Sequence, residues 1–144
     1  KVRHVGVSNF NIDRLDRARR HATEPIFTNQ VQFSPYWPQS GMQDYCAIHD
    51  VLLTAYSPLG HGAVLDDPVL AEVGSRYDKS AVQVALRWLL QQGVATVPKA
   101  PSREHTAATF DVFDVELTPA ELETVRQPSR GRALNRFVRG HLPG

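Results

Sequence analysis

The sequence predicts an α/β fold built on a parallel sheet. Three observations carry this. Strand-like and helix-like segments alternate four times along 144 residues, about 36 residues per unit. The helical segments show 3.6-residue apolar periodicity, whereas the strand-like ones are short and rich in Val, Leu, Ala and Thr. Polar side chains gather where each strand ends. Two architectures fit. A doubly wound open sheet carries G-x-G-x-x-G after its first strand. This chain has none, and Gly60-His61-Gly62 is too short and follows the third strand. The other architecture is part of a (β/α)8 barrel, which needs about 250 residues when whole.

The elements follow in order. Residues 2–7 read as a strand ending in Ser8-Asn9. Asn11 is placed to cap a helix over 11–22, with Ile12, Leu15, Ala18 and Ala22 on one face and the arginines on a solvated outer face. Residues 25–33 form a second strand, 40–50 a second helix and 51–56 a third strand. A loop over 57–67 leads into a helical region over 68–77. The clearest helix follows Ser80. Val82, Ala85, Leu86, Leu89 and Leu90 make its apolar face, and Gly93 ends it. Residues 94–98 are the fourth strand, apolar enough over Val94–Val97 to read as buried. Ser102 starts a short helix through Phe110. Thr118-Pro119-Ala120-Glu121 is a capping box with proline at the first helical position, opening the last helix. From about residue 128 the chain is basic and glycine-rich, and is expected to be loose.

Composition excludes several function classes. Sixteen basic and 15 acidic residues leave a net charge of +1, which makes no electrostatic case for nucleic acid or an acidic membrane. No apolar run reaches the length of a membrane span. The single cysteine, Cys46, allows no internal disulfide and fits a reducing, cytoplasmic setting; in its helix it reads as a buried bystander. The chain opens at Lys1 inside a strand-like segment, with no signal peptide, and that start reads as cut.

Function in barrels sits at the C-terminal ends of the strands. Here those ends offer Ser8-Asn9, Asn29-Gln30, Tyr56-Ser57 and Lys99. Amides match a carboxamide donor for acceptor, and a tyrosine face stacks on a heteroaromatic ring. Lys99 followed by Ser102 at a helix start makes an anion site, a charge beside free N–H groups. Taken singly, each residue is equally compatible with a turn, the core or solvated surface; the joint pattern is what points to a ligand.

At these residues the sequence resembles the aldo-keto reductases. The stretches "GVSNF", "NQVQFSPY", "TAYSPLGHG", "VQVALRWLLQQGVATVPKA" and "FDVFDVELTPAELE" stand in that family's order, from Lys1 to about Val125. The likeness is nearest to short bacterial or archaeal members. It implies a single partial domain over 1–144, the C-terminal half (strands five to eight) of a (β/α)8 TIM barrel. It implies NADPH as cofactor, with Ser8, Asn9 and Gln30 on the nicotinamide carboxamide and Tyr56 stacked on the ring. Ser57 and Leu59 would line the pyrophosphate path, and Lys99 would pair with the 2′-phosphate. The partners it implies are a small carbonyl substrate and the other half of the barrel. The family's catalytic Asp, Tyr, Lys and His belong to that other half, so no catalytic residue is assigned in this chain.

His105 departs from the family pattern, which usually has an arginine there reaching the same phosphate. Arginine is always charged and grips bidentately; histidine carries charge only toward acid pH. A charge-assisted hydrogen bond contributes about 1.5–3 kcal/mol, so preference for NADPH over NADH is expected to weaken about 10- to 150-fold; the alternative is that His105 merely faces solvent. Arg103 lies about 200° around the helix and is poorly placed to compensate. Ala100, Ala108 and Thr109 also stand where the family often has a serine, an acid and an asparagine. The alternative is a non-catalytic nucleotide-binding or regulatory half barrel that self-associates. Phe33, Tyr36 and Trp37 either edge a substrate pocket or pack.

Overall fold

In a computed structural model describing residues 2–126, four parallel strands stand in the order β1-β2-β3-β4. They are Val5–Ser8 (β1), Ile26–Gln32 (β2), Leu52–Tyr56 (β3) and Ala95–Val97 (β4). Between and after them lie helices Ile12–His21 (α1), Ser40–Ile48 (α2), Pro68–Ser75 (α3), Ala81–Gln91 (α4), Arg103–Phe110 (α5) and Pro119–Val125 (α6). Residues of the expected loop over 57–67 include a 3₁₀ segment, Gly60–Asp66, broken at the left-handed His61 and Gly62. The basic tail lies outside the described residues.

Local chemistry starts most of the helices. Asn11 Oδ1 accepts from Arg14 N (2.9 Å), with Asp13 in the first turn and Arg19, Arg20 and His21 in the last, which matches the helix dipole. Asp67 caps α3 through Val69 N and Leu70 N, with proline in its first turn. Ser80 with Gln83, and Thr118 with Glu121, complete two capping boxes.

One face of the sheet is buried and the other is open. Asn29, Val31, Phe33, Leu53 and Ala55 point into a core completed by Leu15, Met42, Cys46, Leu70, Val73, Val84, Trp88 and Leu89. Parallel register places Gly6, Thr28 and Leu52 in one row of the opposite face. Ser8, Gln30, Thr54 and Ala95 form the next row, and Gln32, Tyr56 and Val97 the last.

The structure corrects several expectations. β1 starts at Val5, and β4 begins only at Ala95. Val97 is 55% exposed, because it lies on the open face of an end strand. On α1 only Leu15 is fully buried; Ile12 and Ala22 stay exposed, since only the middle of the helix reaches the core. Arg19 turns inward from the solvated face and donates to Tyr45 Oη (2.9 Å). On α4 the buried set is Gln83, Val84, Ala85, Leu86, Trp88 and Leu89, wider than the predicted stripe, while Val82 and Leu90 are half-buried. That helix lies against α3, α5 and α6 as well as β4, so it is covered on more than one side.

Candidate cofactor site

At the C-terminal ends of the strands Asn9 and Tyr56 line one groove and Ser8 pairs with Gln30, while Lys99 and His105 lie beyond β4. β1 ends in Ser8, whose Oγ donates to the Gln30 carbonyl (3.2 Å). Asn9 then takes a left-handed backbone (φ 57°), and its N–H donates to the same carbonyl (2.8 Å). A left-handed residue other than glycine is uncommon, and Asn tolerates it best. Here it turns the chain sharply off the sheet. Asn29, fully buried, holds the next residue: its Nδ2 donates to Phe10 O (3.0 Å) and its Oδ1 accepts from Phe10 N (3.4 Å). Ser8, Asn9 and Gln30 are therefore joined through the Gln30 backbone, which leaves the Gln30 side chain on the open face.

Tyr56 ends β3 in the row of Gln32 and Val97, half-buried on the open face. Ser57 follows it with a second left-handed backbone (φ 49°), and its carbonyl accepts from Gly60 N (3.0 Å). Left-handed residues thus follow two of the four strands directly, the kind of strain that collects at functional loops. Leu59 directs its side chain to the core. The segment after Tyr56 is strapped to the β2 loop: Tyr36 Oη donates to Asp67 Oδ2 (3.0 Å) while Asp67 caps α3. Sequence reading missed this strap; its one local signal was Asp67-Pro68 opening a helix.

The third group lies beyond β4. Lys99 is exposed two residues past Val97. Ser102 caps α5 by accepting from His105 N (3.1 Å), and its Oγ lies 2.5 Å from His105 Nδ1. The imidazole is thereby engaged at Nδ1, so a ligand would be met through Nε2.

Next to Asn9 and Tyr56 runs an open groove of about 820 Å³, lined also by Phe10, Gln32, Trp37 and Gln39. Trp37 is 47% exposed on its wall. Phe33 is buried instead, edge-on to Trp88 with ring centres 5.9 Å apart at 82°, so it packs the core. Burial pushes the Cys46 thiol up, and Arg19 offsets this only in part; the reactive thiolate is disfavoured. Among the described residues no helix is long and apolar enough to cross a membrane.

Comparison with known proteins gives this surface a context. The chain is 38% identical over 125 residues to glyoxal reductase of Bacillus subtilis, spanning 87% of this chain and 45% of that protein. It is 31% identical to a 9,11-endoperoxide prostaglandin H2 reductase of Trypanosoma cruzi, spanning all of this chain and 52% of that one. A solved aldo-keto reductase of the silkworm, Bombyx mori, superposes with a TM-score of 0.82 at 30% identity, covering 86% of this chain and 41% of that one. An aldo-keto reductase complexed with NADPH superposes at 0.81 and 30% identity, with the same coverage. The chain thus spans about half the length of the curated relatives it matches. The model of the Aldo/keto reductase family matches residues 1–129, and the chain belongs to that family.

Proposed function

We propose that this chain is the cofactor-binding, C-terminal half of a (β/α)8 barrel, strands five to eight, in an NADPH-dependent reductase of aldehydes or ketones akin to short bacterial or archaeal members. The observation that carries the reading is the open sheet face, where Ser8 and Gln30 share one row and Tyr56 stands in the next, toward the strand ends. Relatives about twice as long have the chain length for strands that would cover this face. The surface fits a nicotinamide: hydroxyl and amide groups beside a phenol ring match a carboxamide on an aromatic plane. When bound, the nicotinamide supplies the hydride that converts the carbonyl to an alcohol. This chain's residues orient it. Ser8, Asn9 and Gln30 hold the carboxamide, and Tyr56 covers one ring face so that the other meets the substrate. Ser57 and the backbone of Leu59 border the diphosphate, while Lys99 and His105 meet the 2′-phosphate. The groove beside Trp37 and Gln39 receives the carbonyl substrate. The proton reaching the alcohol comes from an acid on the other half of the barrel.

The test is a fluorescence titration of NADPH and NADH against the natural protein, paired with carbonyl-dependent NADPH oxidation. Tyr56→Ala is expected to weaken both cofactors about fivefold, for about 1 kcal/mol of stacking. His105→Arg is expected to tighten NADPH alone by about tenfold or more. Binding of neither cofactor, with no oxidation, would overturn the proposal and leave a regulatory half barrel as the better account.

A further inference from the structure

From residue 95 to residue 111 no side chain is buried, yet this segment carries Lys99, Ser102 and His105. α5 has no buried residue, and Phe110 and the nearby Phe113 are 69% and 65% exposed. Most helical stability in proteins comes from packing an apolar face. α5 lies against α4 but buries no side chain fully, so its ends take a larger share of its positioning.

Its N-terminal end follows β4 and is capped by Ser102. The C-terminal end is held in two ways. Val112 is a fully buried apolar plug. Beside it, Asp111 is gripped by polar groups from distant chain. Lys79, its side chain only 7% exposed, lies 2.9 Å from Asp111 Oδ1 and 2.9 Å from Asp114 Oδ2. Gln83 Nε2 donates to Asp111 O (2.9 Å) and to Asp111 Oδ2 (3.1 Å). The other end of the same amide, Oε1, accepts from Ser80 N (2.9 Å) and so fixes Gln83 at the start of α4. Asp111 is the C-terminal cap residue of α5. Its carbonyl and both carboxylate oxygens are thus tied to the first turn of α4 and the connection before it. Charge-assisted bonds of this length are directional as well as strong. Hydrogen bonds to Asp111 first, then to Asp114, hold the Lys79 ammonium above its ordinary range, and Asp114 is held below its own by Lys79.

We propose that the Lys79–Gln83–Asp111 clamp sets the position of α5, which makes these three positioning residues for Ser102 and His105. The inference rests on the cofactor reading for what α5 does, though not for how α5 is held. Nothing in the clamp meets a ligand; it acts through the helix it anchors.

Hydrogen exchange on the full chain tests the clamp. Lys79→Met removes the ammonium and keeps an apolar chain of similar length, while Asp111 retains its bonds from Gln83. Asp111→Asn keeps the shape and removes the charge. In both variants the amides of residues 103–110 should exchange about tenfold faster, while α1 and α2 exchange as in the parent. Val112→Ala serves as comparator. Unchanged α5 exchange in Lys79→Met and Asp111→Asn, or loosening in Val112→Ala alone, would overturn the clamp; if Lys79→Met does not fold, Asp111→Asn decides. A parallel titration separates the two readings. Weaker NADPH binding with NADH unchanged supports the clamp acting on the phosphate end. Faster α5 exchange with NADPH affinity intact upholds the clamp and overturns the cofactor assignment of Ser102 and His105.

Discussion

Gly60 sits at a tight point of the candidate site. Its φ is +56°, and a Cβ there would lie 2.6 Å from the Tyr36 ring. The left-handed backbone alone costs a side chain about 1–2 kcal/mol. The clash adds a second penalty, because Tyr36 cannot swing away without giving up its bond to Asp67. Gly60→Ala is therefore expected to lower stability by at least about 1–2 kcal/mol in denaturant unfolding. It should also weaken cofactor binding more than Gly41→Ala, where added volume meets open space. Equal effects at the two glycines would show that the strap does not shape the segment after Tyr56. Ser57 and Asn9 make the same point with ordinary side chains: a left-handed turn directly after a strand aims the loop across the strand ends.

The last helix is tied to α3 and the chain after it by a carboxylate rather than by apolar area alone. Glu121 accepts from Tyr77 Oη (2.6 Å), lies 3.3 Å from Arg76 Nη1, and caps its own helix through Thr118 N (2.9 Å). Burial alone would push this carboxyl up; the bonds from Tyr77, Thr118 and Arg76 together outweigh it and hold the group below its ordinary range. The same bond to Glu121, followed by burial, raises the Tyr77 phenol. A depressed carboxyl contributes stability that is present in full above its unfolded value and is lost as pH falls through its folded value. The chain should accordingly lose stability on acidification below the ordinary glutamate range. Glu121→Gln should flatten that part of the profile. An unaltered acid slope in thermal unfolding of Glu121→Gln would remove Glu121 as its source.

At the scale of the molecule, the sheet's edges and open face bear on association. Among the described residues β1 and β4 end the sheet with one edge unpaired each, and Phe27, Leu52 and Val97 are exposed large apolar residues on its strands. Unpaired parallel edges with exposed apolar side chains beside them favour association. The isolated chain is thus expected to self-associate across the micromolar range, with sedimentation velocity as the measurement. Val97→Lys, which places a charge on the β4 edge, should shift it toward monomer. A single monomeric species from the parent chain would show that four strands suffice alone, and would weaken the case for a covering half.

Much of this architecture is written locally. Asn11, Ser80, Ser102 and Thr118 announce helix starts because a cap needs only a side chain and an amide two or three residues away. The order of strands and helices, and the polar residues at the strand ends, follow from short-range periodicity in the same way. Contacts between distant segments were not legible. Nothing near Asp111 announces Lys79, and nothing near Tyr36 announces Asp67. Whether Asn29 met a ligand or a turn, and whether Phe33 edged a pocket or packed, stayed open until β2 showed which face it buries. Val97 read as buried because apolar pattern reports the company a strand is built to keep; its actual exposure depends on which neighbours are there to cover it. Capping and periodicity are set within a helical turn, whereas burial and pairing depend on packing between segments tens of residues apart.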